Sequence, residues 1–337
     1  MTMDRTDRAD RACRTGRAGV GRSVTARGAV AVVAGAVLST GVLAAAPAQA
    51  AAPAERTAAA KPAAAAAAAA PTVSAQGAYA MNAATSKQLF GKAADGPLRT
   101  GSTTKIMTAL VVLSQPHLDL DKKVKIKKEY TDYVIDPATG GQRYSSAKLI
   151  LGDSMKVRDL LYGLLLPSGC DAAYALADTY GTGSTTQQRT KSFISRMNHK
   201  AHELGLNNTY FDSFDGVSNG NNHASPRDLA KLAAVALKNK TFKKVVGTKT
   251  YDAMTSYRPG GGTHAMEPWK NTNTLLGSYR GAIGVKTGSG PEAKFCLVFA
   301  ATRGGKTVVG TVLADTSVDE RFKDAKKILD YGFAHIG

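Results

Sequence analysis

Three short islands in this 337-residue chain bring hydroxyl, amine and thiol groups together in an order suited to nucleophilic chemistry: Ser102-Thr103-Thr104-Lys105, Ser168-Gly169-Cys170 and Lys286-Thr287-Gly288-Ser289. Gly101-Ser102 leads into an apolar, helix-like run from Thr103 to Leu113, so Ser102 is expected at a helix N-terminus, where free backbone N–H groups face an incoming oxygen. Lys105 follows one turn on. Residues three apart share a helix face, with β-carbons roughly 5 to 6 Å apart, so the amine can reach the hydroxyl. A lysine accepts a proton only when neutral. Burial and a second cation, for which Lys286 is the candidate, both favour that form.

Ser168 follows Leu164-Leu165-Leu166-Pro167 at an expected helix end, and its loop would project a hydroxyl toward a cleft, placed to relay a proton to a leaving amine. Lys286, Thr287, Gly288 and Ser289 read as a strand edge offering a cation, hydroxyls and N–H groups to an extended peptide that ends in a carboxylate. The N–H groups of Ser102 and Ser289 would then hold the oxyanion. Taken singly, each island also suits a plain structural role, as a capping serine, a turn serine or an exposed edge. A second Ser-x-x-Lys, Ser145 to Lys148, lies in a polar segment with no sign of catalysis. The three islands in sequence decide for chemistry: Ser102, Lys105 and Ser168 as catalytic groups, with Lys286, Thr287, Gly288, Ser289 and Cys170 binding substrate.

In this order the set resembles that of the low-molecular-mass penicillin-binding proteins, the serine D-alanyl-D-alanine carboxypeptidases and transpeptidases, and of class A β-lactamases. Thr100 to Ala109, Leu161 to Tyr180, Phe211 to Gly220 and Gly281 to Arg303 are similar to the peptidases, and the likeness runs from about Ala78 to the C-terminus. The resemblance implies an acyl-enzyme on Ser102, formed with peptidoglycan stem peptides ending in D-Ala-D-Ala. It also implies β-lactams as covalent inhibitors at Ser102, and neither cofactor nor metal. One departure matters. The third place of the middle island is usually Asn, whose amide bonds both substrate and lysine, whereas the Cys170 thiol is a weak donor and acceptor. That change is expected to slow release of the acyl group to water and leave amine acceptors better served. Catalysis by the Cys170 thiol itself is disfavoured, since no His pairs with it and Ser102 already fills the role.

The elements that must position these groups suggest an α/β (α+β) fold, with an antiparallel sheet flanked by helices and an all-α region inserted at about 115–270. Gln76 to Asn82 with Lys87 to Lys92, and Phe295 to Thr302 with Thr307 to Leu313, read as strand pairs, the second turning at Arg303-Gly304-Gly305-Lys306. Ile283 to Thr287 reads as a further strand, and Val318 to Phe333 as a helix. Helical periodicity marks Val157 to Leu166, Asp171 to Thr179, Thr190 to Leu204 and Pro226 to Leu237. Ser225-Pro226-Arg227-Asp228 is a helix start, and Gly205 after Leu204 a left-handed stop. The cleft is expected where sheet and helical region meet.

Residues 1–50 read as an export signal: seven arginines precede Gly28, an uncharged run spans Ala29 to Ala46, and Ala48-Gln49-Ala50 offers a small-x-small cleavage site. An uncleaved anchor is the alternative. Residues 51–72 are an Ala/Pro-rich linker, and residues 73–337 form the catalytic domain, which would work outside the cell or on the outer face of the cytoplasmic membrane. The leader holds seven basic and three acidic residues, so +14 of the net +18 stays with the rest. That charge suits peripheral contact with membrane headgroups or anionic wall polymers, or solubility alone. Nucleic acid is set aside, because the lysines are scattered and no aromatic-basic module accompanies them. After export Cys170 and Cys296 remain, expected as two buried free thiols.

Rival readings rest on weaker signals. Glu203-Leu204-Gly205-Leu206-Asn207 matches the spacing of a β-lactamase deacylation loop, but Glu203 falls in the last turn of an amphipathic helix and reads as a solvated carboxylate. His199 and His202 lack the glutamate of a zinc peptidase motif and read as surface residues. A penicillin sensor or wall-binding module with little turnover is a third alternative, opposed by intact Lys105 and Ser168. Trp269-Lys270-Asn271-Thr272-Asn273 reads as packing of the lone Trp beside Asn-bonded turns, and Asp215-Gly216 and Asn219-Gly220 as turns and no more.

Overall fold

The computed structural model describes residues 69–218, 220–257 and 262–337. The leader at 1–50, the linker up to residue 68, and Asn219 lie outside the described residues. In chain order the strands are β1 (Gly77–Asn82), β2 (Gln88–Lys92), β3 (Lys123–Lys125), β4 (Ser154–Lys156), β5 (Thr250–Tyr251), β6 (Met254–Ser256), β7 (Thr263–Ala265), β8 (Trp269–Lys270), β9 (Ala282–Gly290), β10 (Lys294–Arg303) and β11 (Lys306–Asp315). The helices are α1 (Lys105–Leu113), α2 (Lys128–Tyr133), α3 (Val157–Leu165), α4 (Cys170–Tyr180), α5 (Thr186–Glu203), α6 (Pro226–Ala236), α7 (Lys240–Val246), α8 (Leu275–Ser278) and α9 (Val318–His335).

Both ends of the described chain build one antiparallel sheet in the order β2-β1-β11-β10-β9. The β10–β11 hairpin closes on Gly304 and Gly305, both at positive φ (53° and 74°), as a two-residue turn with left-handed central positions requires. Strands β10 and β11 are apolar along most of their length because helices cover both faces. On one face Leu297, Phe299 and Val312 pack against Phe322, Ile328 and Leu329 of α9. On the other, Val298, Ala300 and Leu313 join the core formed with Ile106 and Met107 of α1 and Leu229 of α6. Burying each such Leu, Ile or Phe contributes about 2 kcal/mol. Strand β9 is left as an open edge.

Caps place the helix ends as their residues require. Ser225 accepts from the Asp228 N–H with Pro226 at the first helical position, Thr185 and Gln188 form a reciprocal capping box, and Gly205 takes φ 63° just past α5. The inserted region is not all helix. It also holds a four-stranded sheet, β3-β4-β6-β7, and the two-stranded β5–β8 pair. These strands are two or three residues long, too short for alternation of apolar and polar residues to show in the sequence.

One buried carboxylate knits this region together. Asp178 on α4, with 2% of its side chain exposed, accepts from Arg189 Nε of α5 (2.6 Å), Lys127 Nζ (2.6 Å) and the Tyr130 hydroxyl of α2. Burial by itself would raise its carboxyl, but those hydrogen bonds outweigh it and hold the group below the usual carboxylate range. Removing a buried carboxylate with two cationic partners costs about 3 to 5 kcal/mol. Asp178→Ala is therefore expected to lower the urea midpoint at pH 6. Because the folded value lies below the unfolded one, the wild-type advantage is complete above the unfolded value of about 3.9 and fades as pH falls below it. Equal midpoints at pH 6 would show that Asp178 contributes nothing.

Candidate active site

The turn Gly101–Thr104 runs directly into α1, and the first residue of that helix is Lys105, fully buried. Its Nζ donates to Ser102 Oγ at 2.8 Å, to the Asp215 backbone carbonyl at 3.0 Å and to Cys170 Sγ at 3.3 Å. Hydroxyl and amine therefore meet as the three-residue spacing requires. The turn is pinned from the far side: Asn222 Nδ2 donates to Thr100 Oγ1 (2.6 Å) and Thr104 Oγ1 (2.9 Å), and Thr103 Oγ1 to the Thr100 carbonyl (2.8 Å).

Ser168 stands between α3 and α4 at φ 68°, a left-handed conformation that a non-glycine residue adopts at a cost of about 1 kcal/mol or more. Its hydroxyl is buried and has no hydrogen-bond partner among the described residues. A strained, unpaired hydroxyl beside a cleft is a group waiting for a ligand. Cys170 and Cys296 are both buried and free. Burial pushes the Cys170 thiol up to about 12, against the pull of the Lys105 charge, so it is no nucleophile at neutral pH.

Strand β9 carries the third island. Gly288 has to be glycine, because a β-carbon there would stand 2.6 Å from the Thr100 carbonyl, and its absence lets the strand lie against the turn that bears Ser102. Lys286 is 1% exposed and donates to the Thr287 carbonyl (3.0 Å). Burial first, and the Lys105 charge second, hold its amine well below the ordinary lysine range. Around these groups opens a cleft of about 690 Å³, lined by Ser102, Ser168, Cys170, Thr287, Gly288 and Ser289 among others. Lys105 and Lys286 lie behind its wall.

Several lining residues escaped the sequence. Arg321 on α9 reaches under β9, donating through Nη1 to the Gly288 carbonyl (3.0 Å) and Ser289 Oγ (3.2 Å), while its buried Nε has no partner. One signal existed: a cation in the first turn of a helix, where the dipole favours acids. Ser145, set aside as part of an idle Ser-x-x-Lys, lines the cleft and donates to the Ser168 carbonyl (2.6 Å), while Lys148 pairs with Glu267 away from it. Asp215-Gly216 is more than a turn. Asp215 holds Lys105, and a β-carbon on Gly216 would stand 2.0 Å from the Gly101 carbonyl oxygen.

The remaining weak signals fall where simple packing puts them. Trp269 is buried and donates to the Ala147 carbonyl (2.8 Å), and Asn271 satisfies the Val246 and Thr248 carbonyls. Thr272 does more, since its hydroxyl meets that of Thr287 at 2.6 Å on the cleft wall. Glu203 is half-exposed at the end of α5, paired with Lys200 and His199, and lines no part of the cleft.

A buried lysine that gains no counter-charge weakens the fold in order to serve a site. Lys286→Met is accordingly expected to raise stability at pH 7 by about 1 to 3 kcal/mol in urea melts. The folded amine lies below its unfolded value, so this gain shrinks as pH rises toward the unfolded value of about 10.4. A variant less stable at pH 7 would contradict this account of Lys286.

A family model described as D-alanyl-D-alanine carboxypeptidase matches residues 64–317. A D-alanyl-D-alanine carboxypeptidase of Streptomyces sp. (strain K15) is 58% identical over 306 residues, covering 91% of this chain and 97% of the relative. DacF of Bacillus subtilis is 33% identical over 261 residues, and there the chain spans 62% of the relative's length. The crystal structure of the Streptomyces K15 DD-transpeptidase matches with a TM-score of 0.76 at 62% identity, covering 79% of this chain and all of that one. An ampicillin-bound penicillin-binding protein D2 from Listeria monocytogenes matches with a TM-score of 0.62 at 27% identity, over 78% of this chain and 98% of that one. With an amine 2.8 Å from a serine hydroxyl at the mouth of a cleft in this fold, the chain belongs to the D-alanyl-D-alanine carboxypeptidase family of serine peptidases, which includes DD-transpeptidases.

Proposed function

We propose that Ser102 Oγ attacks the carbonyl between the two D-alanines of a peptidoglycan stem peptide, with Lys105 taking the proton. The observation that carries this reading is the 2.8 Å contact from Lys105 Nζ to Ser102 Oγ, in a cleft that also holds an unpaired serine hydroxyl and an unpaired guanidinium N–H. The N–H groups of Ser102 and Ser289 stabilise the oxyanion, and Ser168 passes the proton to the departing D-alanine amine. Arg321 Nε, with the hydroxyls of Thr287 and Ser289, receives the terminal carboxylate, while the open edge of β9 pairs with the extended peptide. Lys286 stands behind the wall, its amine held well below the ordinary lysine range. The acyl-enzyme then passes to water or to an amine. A β-lactam presents the same carboxylate and a strained amide, so it acylates the same serine.

The protein is exported by its first 50 residues and works outside the cell or at the outer face of the cytoplasmic membrane, where the net +14 of the remaining chain suits contact with anionic polymers or headgroups. Among the described residues no helix is long and apolar enough to cross a membrane.

Benzylpenicillin is expected to add its mass to the wild type and to leave Ser102→Ala unmodified; an adduct on that variant would end the assignment. Arg321→Gln should raise KM for a diacyl-Lys-D-Ala-D-Ala peptide roughly tenfold or more, the loss of one charge-assisted contact, while a substrate without a terminal carboxylate is unaffected. Cys170→Asn, which restores the amide usual in the family, is expected to increase the ratio of hydrolysis to transfer, measured with a glycine amine as competing acceptor. An unchanged ratio would detach the thiol from acceptor choice.

A further inference from the structure

Asp215 is a fully buried acid that the mechanism above uses only through its backbone. Its Oδ1 accepts from the Val217 N–H at 2.9 Å. Its Oδ2 makes no well-formed hydrogen bond, yet the carboxyl faces the Cys170 thiol of α4 and the Tyr133 hydroxyl of α2. Cys170 Sγ in turn stands 3.3 Å from Lys105 Nζ. One thiol therefore separates the amine that must accept a proton from a carboxyl that nothing else neutralises.

We propose that Asp215 is a positioning residue for the proton of Lys105: through the Cys170 thiol it takes that proton, leaving a neutral amine to receive the one from Ser102. The exchange balances. An N–H proton of the Lys105 ammonium moves to Cys170 Sγ as the thiol's own proton moves to the Asp215 carboxyl, so the cysteine stays a thiol and two opposite charges become two neutral groups. The low dielectric makes the neutral pair accessible, because burial disfavours ammonium and carboxylate alike. Burial is also what raises the Asp215 carboxyl most, against the Lys105 charge and the Val217 N–H. The charged and titratable groups around the pair are few. Lys286 on β9 is itself held below the ordinary lysine range, by burial first and the Lys105 charge second, Tyr133 stays protonated in its buried ring cluster, and Ser145 contacts the thiol without adding charge. Asp215 touches no substrate and acts only through Lys105.

This inference rests on Ser102 and Lys105 being nucleophile and base, and its test separates the two. Single-turnover acylation by benzylpenicillin is followed from pH 5 to 9, with mass spectrometry locating the adduct. Failure of the wild type to be modified at Ser102 would overturn the assignment of the nucleophile itself, and this inference with it. With the carboxyl store removed in Asp215→Asn, Lys105 must shed its proton to solvent, so the acid limb of the profile moves to higher pH and acylation at pH 6 slows roughly tenfold. A limb moved to lower pH would make Asp215 a fixed counter-charge, and an unmoved limb a structural residue; either overturns the proposal. Neutron diffraction from the wild type at pH 7 is independent of how the variant folds. It is expected to show a deuteron on Asp215, and a bare carboxylate beside three deuterons on Lys105 would overturn the same claim.

Discussion

A fully buried lysine amine organises this protein. Among the described residues Lys105 Nζ has no carboxylate directly on it, and its partners are a hydroxyl from the preceding turn, a thiol from α4 and a carbonyl from the 211–217 loop. A buried amine without partners would cost several kcal/mol, so the three segments that supply them must converge on one point. Much else follows from that constraint. Gly216 and Gly288 lack β-carbons so that two of the site's backbone segments can close on the Ser102 turn, and Asn222 pins that turn from the other side.

The cleft also divides its cations by depth. Lys105 and Lys286 sit behind the wall, while Arg321 reaches the cleft, where a fork of N–H groups can meet a carboxylate. Placing two buried lysines near one another is unfavourable for the fold, and the double-covered sheet supplies the stability that tolerates it. Strand β9 joins the two demands. Its inner neighbour β10 anchors it through a long antiparallel ladder, and its outer edge stays free for a peptide.

Membership of a family that includes both carboxypeptidases and DD-transpeptidases leaves the choice of acceptor to local chemistry. Cys170 is where this chain concentrates its difference. A thiol raised to about 12 neither attacks nor bonds a substrate amide strongly, but it packs without charge between Lys105 and Asp215. The middle island thus lines the cleft on one side and holds the buried amine on the other.

Much of this was legible in the residues themselves. Local chemistry alone marked the Ser102–Lys105 pair, because three residues of helix impose their separation, and it marked the Gly304-Gly305 hairpin and the Ser225 and Gly205 helix ends, because caps and turns demand particular side chains. The order of the three islands carried the family. Tertiary structure decided the rest. Ser145, Asp215, Thr272 and Arg321 reach the site from segments whose patterns look like turns or ordinary helix, and β3, β4, β6 and β7 are too short to leave a period. Which hydroxyl stays unpaired, which lysine is disfavoured as a cation and which carboxyl loses its solvent depend on burial, and burial is a property of how distant segments close together, not of any one of them.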